Sequence, residues 1–464
     1  MLIFLINEKH SSPQIIDPRR RRNAFIALAV WAAILYLAYS PILTSFFFVG
    51  SDFDFMNARG LKSLWYGYSW WDWSPRSPNA PLAARAVYLA LHHFLGAEGS
   101  RYAAFCVALH AVNTSSVYRL SRRAAKHREP AAWAALFFTI LPASVFAVAN
   151  LASSLRQVLG TFCALLALLL VLSHVEKRSP LRYAAAVASF LIGLQFHELV
   201  VTAPCLMGLW LWISAERTPR SILEVLWPFA GIATGYAIFE YRIYLLGIDK
   251  FFLPGNYHGG IHAMANVFRI AGTLISPSEN HLSWRWAAFL MPVFVLTALG
   301  LSRVPRRLVL LSLGSLALAL SPFLPIHELS FADCGKYAYF ASAFFCMFLG
   351  FAVWKSTVRF ATAICALALA GGWTYQSRSI CRYESEERQA EKACLEQVVE
   401  RLCGPSSGGG AAHVLWPKAG MVWVTRSRIE NYVGLRCAGR SSGVVLQTEP
   451  GPPTNGSSMI VCGG

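Results

Sequence analysis

Charge is what this sequence is short of. Only 14% of its 464 residues are Asp, Glu, Lys or Arg, where about 25% is usual in a soluble domain. Carboxylates are the scarcest, 24 against 41 basic residues, for a formal charge of +17. A soluble protein this apolar would turn large patches to water, so an ordinary soluble globule is excluded. The motifs of several common chemistries are also missing. There is no Walker phosphate loop, no His-Glu-x-x-His helix and no Gly-x-Gly-x-x-Gly fingerprint, which removes P-loop nucleotide chemistry, zincin proteolysis and dinucleotide redox chemistry. No Cys-x-x-Cys pair occurs among the 11 cysteines, which argues against a structural zinc site. Internal symmetry of the kind that marks many transporters is absent as well.

What fills the chain instead is apolar length. Hydrophobic residues make up 55% of it and the mean hydropathy is +0.45. A spanning helix needs about 20 mostly apolar residues. Ala24 to Phe47 is the first such run, and others begin near Tyr102, Ala131, Gln157, Tyr183, Leu199, Ile222, Trp286, Leu308, Tyr337 and Phe360. The runs near 183 and 199 form a short hairpin broken at Phe196-His197-Glu198. Threaded alternately from a cytoplasmic N-terminus, the inner connections collect Arg19 to Arg22, Arg122 to Arg128, Lys177-Arg178, Arg217 with Arg220, Arg303 to Arg307, and Lys355 with Arg359. The short outer turns are not basic. This is the positive-inside pattern of a polytopic membrane protein, and it explains the net charge better than a nucleic-acid surface, which would gather its cations on one soluble domain. The first run, with four arginines before it and no small-residue cleavage site after it, reads as a signal anchor.

The expected architecture is therefore an all-α polytopic membrane protein of about 11 transmembrane helices. It has a basic cytoplasmic segment at 1–23, a membrane domain at 24–375 with outer loops at 48–101 and 247–285, and a small α+β extracytoplasmic appendage at 376–464. Ala83 to Leu95 reads as an interfacial or re-entrant helix and Ile261 to Ile275 as a short amphipathic piece within those loops. In the appendage, a polar helical run from Glu384 to Leu402 precedes strand-like runs at 414–416, 422–424, 444–446 and 459–461. Five cysteines sit in this tail, Cys381, Cys394, Cys403, Cys437 and Cys462, and outside the membrane they are candidates for disulfide pairing.

Ionisable residues among so much apolar sequence are functional candidates. Asp52 and Asp54 flank Phe53 where the first run ends. Two carboxylates there suit a general base, or oxygen ligation of a divalent cation; a solvated helix end is the plain alternative. Arg156 opens an apolar helix on the outer side and can present a fork of donors to a phosphate, or simply snorkel to the interface. His197 and Glu198 lie at the hairpin tip, with Pro204 beyond, as a binding pair or as a helix cap. Lys336 before Tyr337, and Arg242 after Glu240-Tyr241, read as site residues or as interfacial anchors. Arg76 lies between Pro75 and Ser77-Pro78, where it can serve the loop alone.

The order of these features resembles the GT-C superfamily of polyprenyl-phosphate-sugar-dependent glycosyltransferases, with the protein O-mannosyltransferase-like and related bacterial membrane enzymes nearest. Asp52 and Asp54 match the acidic motif of the first outer loop. Arg76-Ser77-Pro78 matches an Arg-Pro segment, and His110-Ala111-Val112-Asn113 a helix of His-a-x-Asn character. Pro142 and Arg156 follow in the family's order. Glu198 to Pro204 resembles a Lys-Glu-x5-Pro hairpin with His197 in place of lysine, and Lys336-Tyr337-Ala338-Tyr339 an Arg-Tyr-x-Tyr helix start with Lys in place of arginine. The likeness runs from about Ala24 to Tyr375; the tail has no counterpart.

The resemblance implies an inverting hexosyltransferase that moves a sugar from a polyprenyl-phosphate donor to an acceptor hydroxyl on the extracytoplasmic side. A first-loop aspartate would be the base, Asp52 or Asp54. Arg156, His197, Lys336 and Arg242 would hold the donor phosphate, with Glu198, Arg76 and His110 behind them or at the acceptor. A Mg or Mn ion on Asp52 and Asp54 fits the same loop. The expected partners are the lipid-linked sugar and membrane lipid, with an acceptor glycan, lipid or protein, and no nucleic acid. The expected location is a bacterial inner membrane, N-terminus inside and tail outside. A non-catalytic scaffold, a lipid or polysaccharide transporter and an O-antigen-type polymerase or ligase are the alternatives.

Overall fold

A computed structural model describes residues 18–45, 82–96, 98–245, 261–275, 284–324, 331–403, 412–415, 444–447 and 458–461. A helix begins at or beside every position where the apolar runs place one. In chain order these are α1 (Pro18–Ser45), α2 (Leu82–Leu95), α3 (Gly99–Ala125), α4 (Arg128–Ile140), α5 (Pro142–Val148), α6 (Leu159–Lys177), α7 (Pro180–Leu194), α8 (Ala203–Ile213), α9 (Pro219–Leu245), α10 (Ile261–Ile275), α11 (Trp284–Arg303), α12 (Arg306–Leu320), α13 (Phe331–Lys355) and α14 (Arg359–Cys403). Among the described residues, five helical stretches are long and apolar enough to cross a bilayer alone, six if α4 and α5, bent by 57°, count as one span. Three further helices are apolar but shorter. Phe25, Phe94, Leu181, Trp227 and Phe360 stand more than half exposed on the outside. This is a multi-pass integral membrane protein with lipid-facing apolar sides.

The core is organised around α13. Its span from Cys334 to Lys355 is the most enclosed of the five, and α4, α5, α10, α11 and α12 all pack on it. An apolar helix that other helices wrap needs no polar face. Side-chain hydrogen bonds stitch the bundle where apolar packing alone gives little preference over lipid. Trp31 Nε1 donates to Thr139 Oγ1 at 2.9 Å, Tyr183 Oη to the Val225 carbonyl at 2.7 Å, and Trp210 Nε1 to Ser315 Oγ at 3.1 Å.

α14 is a single helix of 45 residues, about 68 Å at 1.5 Å per residue. That is twice the hydrocarbon thickness of about 30 Å, more than one span needs. The expected boundary at 375/376 lies inside this helix. Along its length α14 closes breaks in its neighbours. Pro41 has no N–H to bond the Leu37 carbonyl; Arg378 Nη1 donates to that carbonyl at 3.1 Å and to Ser40 Oγ at 3.0 Å. Gln389 Nε2 donates to the Ser45 carbonyl at 2.8 Å, at the end of α1. Ser377 Oγ donates to the Ile140 carbonyl at 2.8 Å, where Pro142 interrupts α4. Beyond α14, strands β1 (Ala412–Leu415), β2 (Val444–Gln447) and β3 (Ser458–Val461) form a parallel sheet in the order β2-β1-β3. The run expected at 422–424 lies outside the described residues. Cys394 is disulfide-bonded while Cys381 is free and buried.

The basic connections share one end of the bundle. Arg123, at the end of α3, pairs with Glu176 at the end of α6 at 2.5 Å. Arg217 Nη2 donates to the Val175 carbonyl at 3.3 Å, and Arg307 pairs with Glu216 at 2.8 Å. His127 lies 4.8 Å from Trp354, ring to ring. The opposite ends of α6, α7 and α13 therefore come together at the other rim.

Candidate functional site

That rim is built from helix breaks. Ahead of α6, the turn Leu151–Ser153 is capped by Asn150, whose side chain accepts from the Ser153 N–H at 2.9 Å. A π-helical turn, Ser154–Val158, follows, with the Leu159 N–H reaching back to the Ser154 carbonyl. Such turns carry an extra residue per turn and recur at functional positions. Arg156 sits in it, 22% exposed at its side chain.

Facing it is the tip of the hairpin between α7 and α8. Pro204 removes the N–H that would bond the Val200 carbonyl, so the chain enters α8 through a tight 3₁₀ turn, Glu198–Thr202, rather than a longer α-helix. His197 precedes it in extended conformation. Two glycines let this tip press against α6. A Cβ on Gly160 would stand 3.2 Å from His197 Cβ, and one on Gly193 would stand 2.9 Å from Cys163 Cβ.

The result is one carboxylate between two cation-forming groups. Glu198 Oε2 lies 3.0 Å from His197 Nδ1 and 3.8 Å from Arg156 Nη2. The second distance is charge proximity rather than a hydrogen bond. The Leu199 N–H also points at His197 Nδ1, at 3.2 Å. His197 is buried, and its Nε2 has no protein partner; neither has the buried Nε of Arg156. Both groups thus keep hydrogen-bonding capacity that Glu198 does not use. Gln157, beside Arg156, is buried with its Oε1 unpaired as well. Across from them the Tyr337 ring stacks on Phe323 at 4.6 Å and lies 6.2 Å from the His197 ring.

The structure thus brings Arg156, His197 and Glu198 together at the rim opposite the basic connections. Lys336 is half-buried in the first turns of α13, next to Tyr337. His110 lies deeper, fully buried in α3 and bonded to Tyr339 Oη at 2.7 Å and to the Thr139 carbonyl at 3.2 Å. Arg242 is on α9, but its side chain lies outside the described residues, as do Asp52, Asp54 and Arg76 altogether. Among the described residues, no three His, Cys, Asp or Glu side chains cluster as a metal site. Sequence reading named Tyr337 only as the neighbour of Lys336, and passed over Gln157 and Arg85 as site residues. Arg85 is 9% exposed on α2, a helix that packs on the π-turn; a cation in the middle of an amphipathic apolar helix was the signal available.

No family model matches the chain, and no curated protein matches it in sequence. Among solved structures, ArnT from Cupriavidus metallidurans bound to undecaprenyl phosphate is similar with a TM-score of 0.52, at 9% identity, over 91% of this chain and 85% of that one. The apo oligosaccharyltransferase of Archaeoglobus fulgidus is similar with a TM-score of 0.48 at 11% identity, over 89% of this chain and 64% of that one. The chain has the GT-C fold. In this fold the π-turn, the hairpin tip and the head of α13 converge on one rim.

Proposed function

We propose that the protein is a membrane glycosyltransferase that takes a sugar from a polyprenyl-phosphate donor and passes it, with inversion, to an acceptor hydroxyl on the extracytoplasmic side. The observation that carries this reading is the convergence of Arg156 and His197, each with an unpaired buried nitrogen, on the rim away from the basic connections. Basic pockets between spans bind anionic head groups. The donor phosphate gains charge as its bond to the sugar breaks, and preorganised donors are worth most where charge develops. Arg156 offers the fork, His197 Nε2 a second contact, and Lys336 and Arg242 further positive charge; Glu198 orients Arg156 and His197 and keeps the empty site from being purely cationic. Asp52 or Asp54 takes the acceptor proton, and the pair would also suit a Mg or Mn ion through its oxygens. ArnT, which shares the fold, was solved with undecaprenyl phosphate.

The reading places the protein in a bacterial inner membrane with the N-terminus inside and the tail outside. The disulfide at Cys394 supports an oxidising side for the tail.

The test is transfer itself. Purified protein, given a radiolabelled undecaprenyl-phosphate hexose and fractionated envelope acceptors, should release undecaprenyl phosphate as label enters an acceptor. Label that crosses a vesicle bilayer without being transferred would replace the enzyme by a transporter, and no use of the lipid at all would leave a scaffold.

A further inference from the structure

Beneath the rim lies a chain of hydrogen bonds that the proposed chemistry does not use. Asn113 on α3 is fully buried, and its Nδ2 donates to the Val158 carbonyl at 2.9 Å and to Tyr339 Oη at 3.2 Å. An amide nitrogen has two hydrogens, so both are committed. Tyr339 Oη, having accepted, gives its own proton to His110 Nδ1, at 2.7 Å. That leaves the His110 proton on Nε2, where it is donated to the Thr139 carbonyl at 3.2 Å. Each bond fixes the direction of the next. The amide Oδ1 of Asn113 is buried without a partner, so the donor edge is what the packing uses.

The ends of this chain matter. Val158 is the last residue of the π-turn that carries Arg156. Tyr339 lies one helical turn after Lys336 on α13, two residues after the Tyr337 that faces His197. A π-turn has no single register in an otherwise α-helical stretch, so a side chain gripping its terminal carbonyl decides where it sits. We propose that Asn113 and Tyr339 are positioning residues that hold the Arg156-bearing turn at a fixed height against the head of α13, and so preserve the grip on a lipid-linked phosphate; this rests on the function proposed above. The two act through Arg156 and do not touch the ligand.

The experiment uses Asn113→Leu, which removes both donors, and Tyr339→Phe, which removes only the hydroxyl and leaves the ring against Phe138 and His110. Binding of undecaprenyl phosphate and of undecaprenol to the purified full chain is compared with wild type. Each variant should bind the phosphate about tenfold more weakly while binding the alcohol unchanged. In an Arg156→Ala background the further loss should vanish, because the arginine they position is gone. Hydrogen exchange over Ser154–Val158 should rise in both variants whether or not lipid is present. Equal losses for phosphate and alcohol, full additivity with Arg156→Ala, or unchanged exchange would each overturn the assignment. If wild type ignores undecaprenyl phosphate while exchange still rises in the variants, the proposed function fails and the mechanical link survives.

Discussion

At one end of the bundle, Arg123, Arg217, Arg307 and His127 are spread over three connections, mostly exposed, each on its own neighbour. At the other, Arg156 and His197 are drawn in from two separate helix breaks onto one carboxylate. About 30 Å of α6 separates the two ends. The difference teaches what charge is for in each place. Exposed ion pairs contribute about 0–1 kcal/mol each, so the basic end is built by number, and what number supplies is orientation. The rim has few charges, but they are partly desolvated, incompletely paired and held by a π-turn, a 3₁₀ turn and two close-packed glycines. Such an arrangement is inefficient as stabilisation and apt for binding an anion.

The sharpest way to break this comparison is to alter the acidic loop that follows α1. One of Asp52→Asn and Asp54→Asn should lower transfer by about 10² to 10⁴, at unchanged protein level in membranes. If both remain fully active, the base is elsewhere. Next comes a matched pair of arginines. Arg156→Ala should cost about 10² in donor use, more than in acceptor use, and Arg156→Lys should restore little because a point charge cannot replace the fork. The same alanine change at Arg307 should leave transfer within about twofold, since its partner Glu216 is exposed. Equal losses at the two arginines would erase the distinction between the ends.

The helices were legible because a bilayer demands an apolar run for each span, and the gathering of the basic connections at one end because the cations between the runs were bunched. Arg156, His197 and Glu198 stood out as ionisable residues in apolar surroundings. What joins them was not legible. No pattern in Ser154–Val158 announces a π-turn, and the hydrogen bond from Asn113 to Tyr339 links residues 226 positions apart. Both residues had been noticed within short motifs, yet their meeting is a property of packing. The tail shows the opposite failure of signal. Charges from Arg378 onward end the hydropathic run, so the sequence suggests a boundary there, while Glu, Arg, Gln and Ala keep good helix propensity and α14 continues unbroken.

A smaller effect sharpens the rim further. Glu198→Gln should reduce donor use by about tenfold, less than loss of Arg156, because the amide still accepts a hydrogen bond but no longer balances the Arg156 charge. A gain in phosphate binding with a loss of turnover would show that the carboxylate competes with the donor rather than orienting its ligands, and would move Glu198 from support to gate.

The smallest expected change lies at α14. Arg378 supplies the donor that Pro41 denies the Leu37 carbonyl and also reaches Ser40. Arg378→Ala leaves that carbonyl unpaired near the C-terminal end of α1, at a cost of about 1 kcal/mol, read as a thermal shift of a few degrees in detergent. Because α1 leads directly to the acidic loop, transfer should fall slightly, and Pro41→Ala in the same chain should restore both stability and transfer by returning the missing N–H. If the double variant is no better than Arg378→Ala alone, the arginine serves something other than the break in α1, and the link between the long helix and the acidic loop would have to be sought in Gln389 and in Ser385, whose Oγ donates to the Pro41 carbonyl at 3.3 Å, instead.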